Sequence, residues 1–151
     1  MADDDIGPIE FADDEVVPIA DLVALYEAVG WLIQAADPDA LARAVDRSTY
    51  VTTARDADGQ LIGLARCLSD DVSIMYLQDV LVHPDHQRAR IGTVLVGACL
   101  HRFEHVRRMV LMTDDEAGQH EFYRSLGFTN LADLAPLNLH TFVKISALPP
   151  S

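Results

Sequence analysis

The chain has 151 residues, half of them apolar, and carries a formal charge of −13 at pH 7. This length and apolar content suit a single globular domain over residues 1–151, with loose ends at 1–7 and 148–151. The negative charge argues against binding to nucleic acid or to an anionic membrane surface. The same charge either keeps the protein soluble or attracts a cationic substrate.

The two cysteines and the first residues of the chain indicate the cellular compartment of the protein. Cys67 and Cys99 lie in apolar segments without metal-binding or redox spacing, so we expect two buried free thiols, as in a reducing cytoplasm. No basic stretch followed by an apolar run opens the chain, so no signal peptide is predicted. No apolar run approaches the ~20 residues that span a membrane. These features predict a cytoplasmic protein.

The first third of the chain predicts one strand and two helices. A strand is expected at 9–17. Apolar spacing predicts a helix at 19–29, which Gly30 ends. Asp37 followed by Pro38 is a typical helix start, and it predicts a second helix at 38–45.

The middle of the chain predicts a three-stranded antiparallel sheet. Strands are expected at 48–55, 61–68 and 72–82, because apolar and β-branched residues dominate each segment. The sequence Asp56-Ala-Asp-Gly59 is a hairpin signal, since glycine can adopt a positive φ.

The last third adds a helix at 91–105, a strand at 108–113 and a helix at 117–126 that Gly127 ends. The strand at 108–113 should run parallel to the preceding strand, because a helix intervenes. Phe128 and residues 140–145 predict late strands. The order therefore predicts an α/β (α+β) fold, a mixed, mostly antiparallel sheet of six to seven strands with helices on both faces.

One stretch leads from a buried strand through a basic loop into a helix: Asp79-Val-Leu-Val-His-Pro-Asp-His-Gln-Arg-Ala-Arg-Ile-Gly-Thr93. A helix N-terminus presents free N–H groups and positive dipole charge, which suit a phosphate. The stretch resembles the acyl-CoA pyrophosphate loop of the GNAT superfamily of N-acetyltransferases, whose pattern is Gln/Arg-x-x-Gly-x-Gly/Ala. Gln87 and Gly92 match this pattern, whereas Arg90 stands in place of its first glycine.

A second motif, Phe122-Tyr-Arg-Ser-Leu-Gly-Phe128, resembles the Phe-Tyr-x-x-Leu-Gly-Phe signature of the same family. The resemblance spans residues 50–128 and, more weakly, the whole chain. It implies splayed central strands, acetyl-CoA as donor and an amine as acceptor. Tyr123 would protonate the leaving thiolate, since a hydroxyl with a pKa near 10 is close to matched with a thiol near 8.5, or it would only pack on the cofactor. Glu116 stands where the family often has asparagine.

The resemblance implies a cofactor site without a metal. Its expected contacts are Val80, Leu81, Val82, Gln87, Arg88, Ala89, Arg90, Ile91, Gly92, Thr93 and Tyr123. With a helical φ, Arg90 would donate its N–H and add charge at the phosphates. With a positive φ, arginine at this position costs roughly 1–2 kcal/mol.

Fewer sequence features indicate the residues of the acceptor site. Asp79 either removes the amine proton, directly or through water, or holds a bulge of the central strand by hydrogen bonds. Trp31, Tyr26 and Tyr76 are candidate walls of an acceptor pocket, with core packing as the alternative for each.

These observations predict an acetyl-CoA-dependent N-acetyltransferase that acts on the primary amine of a small molecule by direct attack. The segments Tyr26-Glu-Ala-Val-Gly-Trp31 and Leu61-Ile-Gly-Leu-Ala-Arg66, with Asp79-Val-Leu-Val82, resemble a branch that includes plastid serotonin N-acetyltransferase-like proteins and bacterial small-amine acetyltransferases. The alternatives are acetylation of a protein or peptide, and a catalytically weak acyl-CoA-binding regulatory module. The strand at 140–145 is a candidate edge for a homodimer.

Overall fold

The computed structural model describes residues 7–87, 89–116, 118–135 and 139–146. Two compact units make up the chain, Met1–Met112 and Thr113–Ser151. The single domain stays a prediction, and the expected loose ends, apart from Gly7, lie outside the described residues. Within the described ranges, no helix is long and apolar enough to cross a membrane.

The first unit holds the sheet and most of the helices. Its elements in chain order are β1 (Glu10–Asp13), α1 (Ile19–Ala28), α2 (Leu32–Ala35), α3 (Pro38–Asp46), β2 (Tyr50–Arg55), β3 (Leu61–Ser69), β4 (Ile74–Val82), a 3₁₀ turn (Pro84–His86), α4 (Ile91–Arg102) and β5 (Arg108–Leu111). The second unit contains α5 (Gln119–Ser125) and a 3₁₀ turn (Leu131–Asp133). Helix α2 and the two 3₁₀ turns were not predicted, because three or four residues are too few to establish a helical period.

The sheet has the order β1-β2-β3-β4-β5. The first four strands are antiparallel, and β5 runs parallel to β4. The predicted mixed, mostly antiparallel sheet is confirmed, including the parallel pair that α4 connects. The predicted count of six to seven strands is corrected to five among the described residues, since Phe128 and residues 139–146 form no strand there. An apolar alternation indicates a strand only where a neighbouring backbone completes the hydrogen bonds.

Helices cover both faces of the sheet, as predicted. A Cβ added at Gly63 of β3 would approach the Ile91 Cγ2 and Leu95 Cδ1 atoms of α4 to 3.0 Å. The next residue, Leu64, joins the buried cluster of Leu22 on α1. Because neighbouring residues of a strand point to opposite faces, α1 and α4 lie on opposite sides of β3.

Several local predictions are confirmed. The Asp37 side chain accepts a hydrogen bond from the Ala40 N–H at 3.0 Å and caps α3. Gly59 in the hairpin turn has a φ of +79°. Cys67 on β3 and Cys99 on α4 are buried free thiols. The local sequence decides these features because each depends on one cap, one turn or one apolar position.

Candidate functional site

Strand β4 contains a bulge at Gln78. Arg66 of β3 pairs with Asp79, and the following residue of β3 pairs with Leu77, so Gln78 has no partner in this ladder. An extra residue in one strand shifts the side-chain alternation beyond it. Asp79 therefore lies on the face of Arg66, which α1 covers, instead of the face of Leu77.

The bulge is also where β4 and β5 separate. Residues 74–77 pair with Arg108–Leu111 of β5, whereas β4 continues to Val82 with β3 as its only partner among the described residues. This geometry agrees with the splayed central strands that the resemblance implies. An unpaired strand edge offers backbone N–H and C=O groups to an extended ligand. The predicted contacts on this free half are Val80, Leu81 and Val82.

The connection from β4 to α4 is held at its start by two hydrogen bonds. The His83 N–H donates to the Ile62 carbonyl at 2.7 Å, and the Gln87 side-chain amide donates to the Val82 carbonyl at 3.4 Å. Gln87 thus folds back on the end of β4. Arg88, the next predicted contact, lies outside the described residues.

Helix α4 begins with unsatisfied N–H groups. Its first intrahelical hydrogen bond runs from the Val94 N–H to the Arg90 carbonyl at 3.1 Å. The preceding N–H groups have no acceptor within the helix and belong to Ile91, Gly92 and Thr93. The first turn holds no acidic residue and receives no side-chain cap from the described residues. Such an N-terminus attracts an anion.

The backbone conformation of Arg90 distinguishes between the helical φ and the positive φ that the sequence left open. Its φ is +58° and its ψ is 20°, so it occupies the left-handed region and its side chain is exposed. The conformation suits glycine, which agrees with the family pattern, and costs arginine roughly 1–2 kcal/mol. The neighbouring Ile91 is 1% exposed, so only its backbone can contact a ligand.

Asp79 is the centre of a buried polar cluster. Its Oδ2 atom accepts a hydrogen bond from the Tyr26 hydroxyl at 2.7 Å and from the Arg66 Nε at 2.6 Å. Asp79 is 6% exposed, and Tyr26 is fully buried. Burial and the neighbouring carboxylate of Asp79 raise the pKa of Tyr26 above its usual value, so the phenol stays a donor at neutral pH.

Arg66 was not predicted as a site residue. Its Nη1 atom also lies 3.3 Å from the Ser48 hydroxyl and 3.5 Å from the Ala44 carbonyl. An arginine within an apolar strand is a signal that could have identified it, because a buried cation needs a partner. The partner itself could not be named from the sequence, since the bulge determines which β4 residue faces Arg66.

The three predicted acceptor-site residues differ in exposure. Tyr26 has no exposed surface, so the structure places it in the core and not on a pocket wall. Trp31 is half-buried and packs edge-on against Tyr26, with ring centroids 5.8 Å apart. Tyr76 is also half-buried, and burial together with the charge of Asp79 raises its pKa. Trp31 and Tyr76 therefore retain surface that an acceptor could contact.

Tyr123 belongs to the second unit. Helix α5 ends with the Phe128 N–H donating to the Tyr123 carbonyl and the Gly127 N–H donating to the Arg124 carbonyl, both at 3.0 Å. Gly127 has a φ of +94°, which confirms the predicted left-handed helix end. Burial and the charge of Asp114 raise the pKa of Tyr123, so the phenol is protonated at neutral pH.

Glu116, which stands at the family's asparagine position, lies in the second unit. The Glu116 N–H donates to the Asp114 carboxylate at 3.1 Å, and the following residue lies outside the described ranges. In the part of the chain that the structure describes, no group of three or more His, Cys, Asp or Glu is arranged to hold a metal ion.

Comparison with known proteins gives a family match and similar relatives. The profile of the acetyltransferase (GNAT) family matches residues 17–128. An uncharacterised N-acetyltransferase of Pyropia yezoensis is 26% identical over 128 residues, a match that covers 80% of this chain and 72% of that protein.

Two solved structures are similar to this one. A GNAT family acetyltransferase of Streptococcus pneumoniae TIGR4 has a TM-score of 0.78 and 30% identity, over 91% of this chain and 98% of that chain. An aminoglycoside N-acetyltransferase in complex with CoA has a TM-score of 0.67 and 14% identity, over 93% and 96% of the two chains. At that low identity the second likeness shows the fold alone.

Proposed function

Because the chain belongs to the GNAT family of acetyltransferases, we propose that it transfers the acetyl group of acetyl-CoA to the primary amine of a small molecule. The family supports acetyl-CoA as the donor. The choice of a small amine over a protein rests on the site and on the resemblance of the sequence to small-amine enzymes.

One observation carries the donor assignment: the half of β4 that β5 does not pair with is followed, after a short connection, by the open N-terminus of α4. The pantetheine arm of CoA contains amides that can pair with the strand edge at Val80 and at the N–H of Val82, whose carbonyl accepts from Gln87. Its pyrophosphate suits the N–H groups of Gly92 and Thr93. The two halves of CoA thus match two consecutive pieces of the chain.

The transfer proceeds by direct attack. The neutral amine nitrogen forms a bond to the thioester carbonyl carbon, and the bond from that carbon to sulfur breaks. Tyr123 gives its phenolic proton to the leaving thiolate and is reprotonated from solvent, a role supported by its motif. The nitrogen loses its extra proton to water.

The acceptor is a small cationic amine before it loses its proton. The net charge of −13 raises the local concentration of such molecules, and Trp31 and Tyr76 offer aromatic surface for an apolar or aromatic substituent.

A second candidate is a catalytically weak module that binds acyl-CoA. The strained Arg90 favours it, because a Cβ at the family's glycine position stands where the backbone approaches the phosphates. This candidate shares the donor site with the first and differs in turnover.

The first experiment is calorimetric titration with CoA, followed by a thiol-release assay with acetyl-CoA and a panel of small amines, polyamines, amino acids and peptides. We expect binding and turnover with at least one small amine. Absence of CoA binding at millimolar concentration would refute both candidates, and binding without turnover would favour the module. Turnover confined to peptides would replace the small amine with a protein acceptor.

The acid role is tested separately with Tyr123→Phe. We expect kcat to fall by about 100-fold, with the alkaline limb of its pH profile altered and CoA affinity retained. The matched control is Tyr50→Phe on β2, which should leave kcat unchanged. An unaltered rate and alkaline limb in Tyr123→Phe would reject the acid assignment.

A further inference from the structure

The half of β4 beyond the bulge, residues 78–82, has an unusual position in the sheet. In the described part of the chain it pairs with β3 on one side only, because the pairing of β5 ends at Leu77. Its first residue, Gln78, has no partner across the ladder. A strand held from one side next to a bulge can shift its register or bend away, so its position needs additional support.

The side chain that follows the bulge provides this support. Asp79 accepts hydrogen bonds from Tyr26 of α1 and Arg66 of β3, and Arg66 reaches Ser48 in the connection between α3 and β2. Both hydrogen bonds to Asp79 are short and include a charged partner, the stronger class of protein hydrogen bond. A single carboxylate thus ties this half of β4 to three other parts of the first unit.

The same contacts oppose a role in proton transfer. The ionisable groups that face Asp79 are Tyr26 from α1, Arg66 from β3 and Tyr76 from β4 itself. Both donors hold Oδ2, and Asp79 is 6% exposed, so little of its carboxylate is left for an amine or a bridging water to reach.

We infer that Tyr26 and Arg66 are positioning residues that act through Asp79: the three side chains fix residues 78–82 of β4 where the pantetheine arm pairs, and Asp79 does not receive the amine proton. This inference rests on the proposed acetyl transfer. Asp79 then holds the bulge by hydrogen bonds and does not act as the base. Water removes the proton of the amine.

The binding test compares CoA with adenosine 3′,5′-bisphosphate, which lacks the pantetheine arm. In Asp79→Asn, we expect CoA affinity to fall by about tenfold, since a charge-assisted hydrogen bond is weakened, with nucleotide affinity unchanged. Tyr26→Phe should shift CoA affinity in the same direction by about threefold. An unchanged CoA affinity in both variants would overturn the inference.

Tyr50→Phe is the matched control. Its hydroxyl also donates to an aspartate, Asp13, at 2.7 Å, on the pair of strands β1 and β2. This variant loses the same kind of hydrogen bond away from the β4 bulge. It should leave the affinities for both ligands unchanged.

The kinetic test separates positioning from base catalysis. With a positioning role, Asp79→Asn lowers kcat/KM but keeps its acidic limb, and that limb moves with the pKa of the amine when the acceptor is changed. Loss of the acidic limb in Asp79→Asn with unchanged CoA affinity would identify Asp79 as the base.

A ligand-free readout keeps the inference testable if the proposed function fails. In Tyr26→Phe, amide hydrogen exchange should become several-fold faster at residues 78–82 and stay unchanged at residues 74–77, which β5 holds. In Tyr50→Phe, neither segment should change. If the wild-type protein bound no CoA, the acetyltransferase assignment would fail. Equal exchange rates of residues 78–82 in Tyr26→Phe and Tyr50→Phe would separately reject the inference that the Asp79 cluster holds β4 in place.

Discussion

Two irregular places in the backbone lie beside the proposed cofactor site, and they differ in their support. At the β4 bulge, Asp79 receives short hydrogen bonds from Tyr26 and Arg66 in a buried cluster. At the start of α4, Arg90 is left-handed and exposed, and its side chain makes no hydrogen bond to the described residues. The bulge is maintained from several elements, whereas the Arg90 conformation is imposed by the chain on either side of it.

The difference predicts opposite responses to substitution. A change at the bulge cluster leaves buried polar atoms without partners, so it lowers the free energy of unfolding. Replacing Arg90 with glycine removes a local strain and should raise that free energy. Strain that persists at one residue is a known property of ligand-binding loops, where function favours a conformation that stability does not.

The largest effect is expected for Arg66→Leu. It leaves the Asp79 carboxylate buried without its cation, which should lower the free energy of unfolding by about 3–5 kcal/mol. Urea denaturation followed by the fluorescence of Trp31, the single tryptophan, measures it. The control is Arg55→Leu, whose ion pairs with Glu15 and Asp21 are more exposed and should cost about 1 kcal/mol. Equal losses of unfolding free energy in Arg66→Leu and Arg55→Leu would mean that the bulge cluster contributes no more to stability than a more exposed ion pair.

Tyr26→Phe and Tyr50→Phe sharpen the comparison. Tyr26→Phe deprives a buried carboxylate of a donor and should cost about 2 kcal/mol, whereas exposed Asp13 can bind water when Tyr50 loses its hydroxyl, for about 1 kcal/mol. The same denaturation experiment measures both. A smaller loss for Tyr26→Phe would mean that Arg66 alone holds Asp79.

Alkaline pH tests the proton of the Tyr26 hydroxyl in this cluster. Burial and Asp79 raise the pKa of Tyr26, so above about pH 10 the phenol ionises in the unfolded chain and stays protonated in the folded one. The unfolded state then binds fewer protons, and stability should fall as pH rises by about 1.4 kcal/mol per pH unit for this tyrosine. Denaturation at pH 9, 10 and 11 should show a flatter decline in Tyr26→Phe. Parallel declines would mean that the two states share one tyrosine pKa.

The smallest effect, of opposite sign, is expected for Arg90→Gly. Relief of the left-handed strain, offset by the greater freedom of glycine in the unfolded chain, should raise the free energy of unfolding by about 0.5–1 kcal/mol. Arg90→Ala is the control, because it removes the guanidinium but keeps a Cβ at positive φ. A gain in Arg90→Ala as large as in Arg90→Gly would attribute the effect to charge and not to the backbone.

The sequence predicted the elements that carry the site well, and it predicted their irregular contacts poorly. The run from Asp79 to Thr93 contains its strand end, loop and helix start in adjacent residues, so local pattern and family resemblance were sufficient. The late strand at 140–145 was not formed among the described residues, because alternation cannot supply a pairing partner. Arg66 and the burial of Tyr26 were missed, since both depend on residues far away in the chain.

The sequence by itself predicted the proposed donor site: a basic turn after a buried strand, the helix start that follows it, and the motif around Tyr123. Each of these depends on residues within one or two turns of each other. Only the tertiary structure decided the φ of Arg90 and the partners of Asp79. The bulge moves Asp79 to the face of α1, and a one-residue change of strand register is a property of paired strands that no single segment encodes.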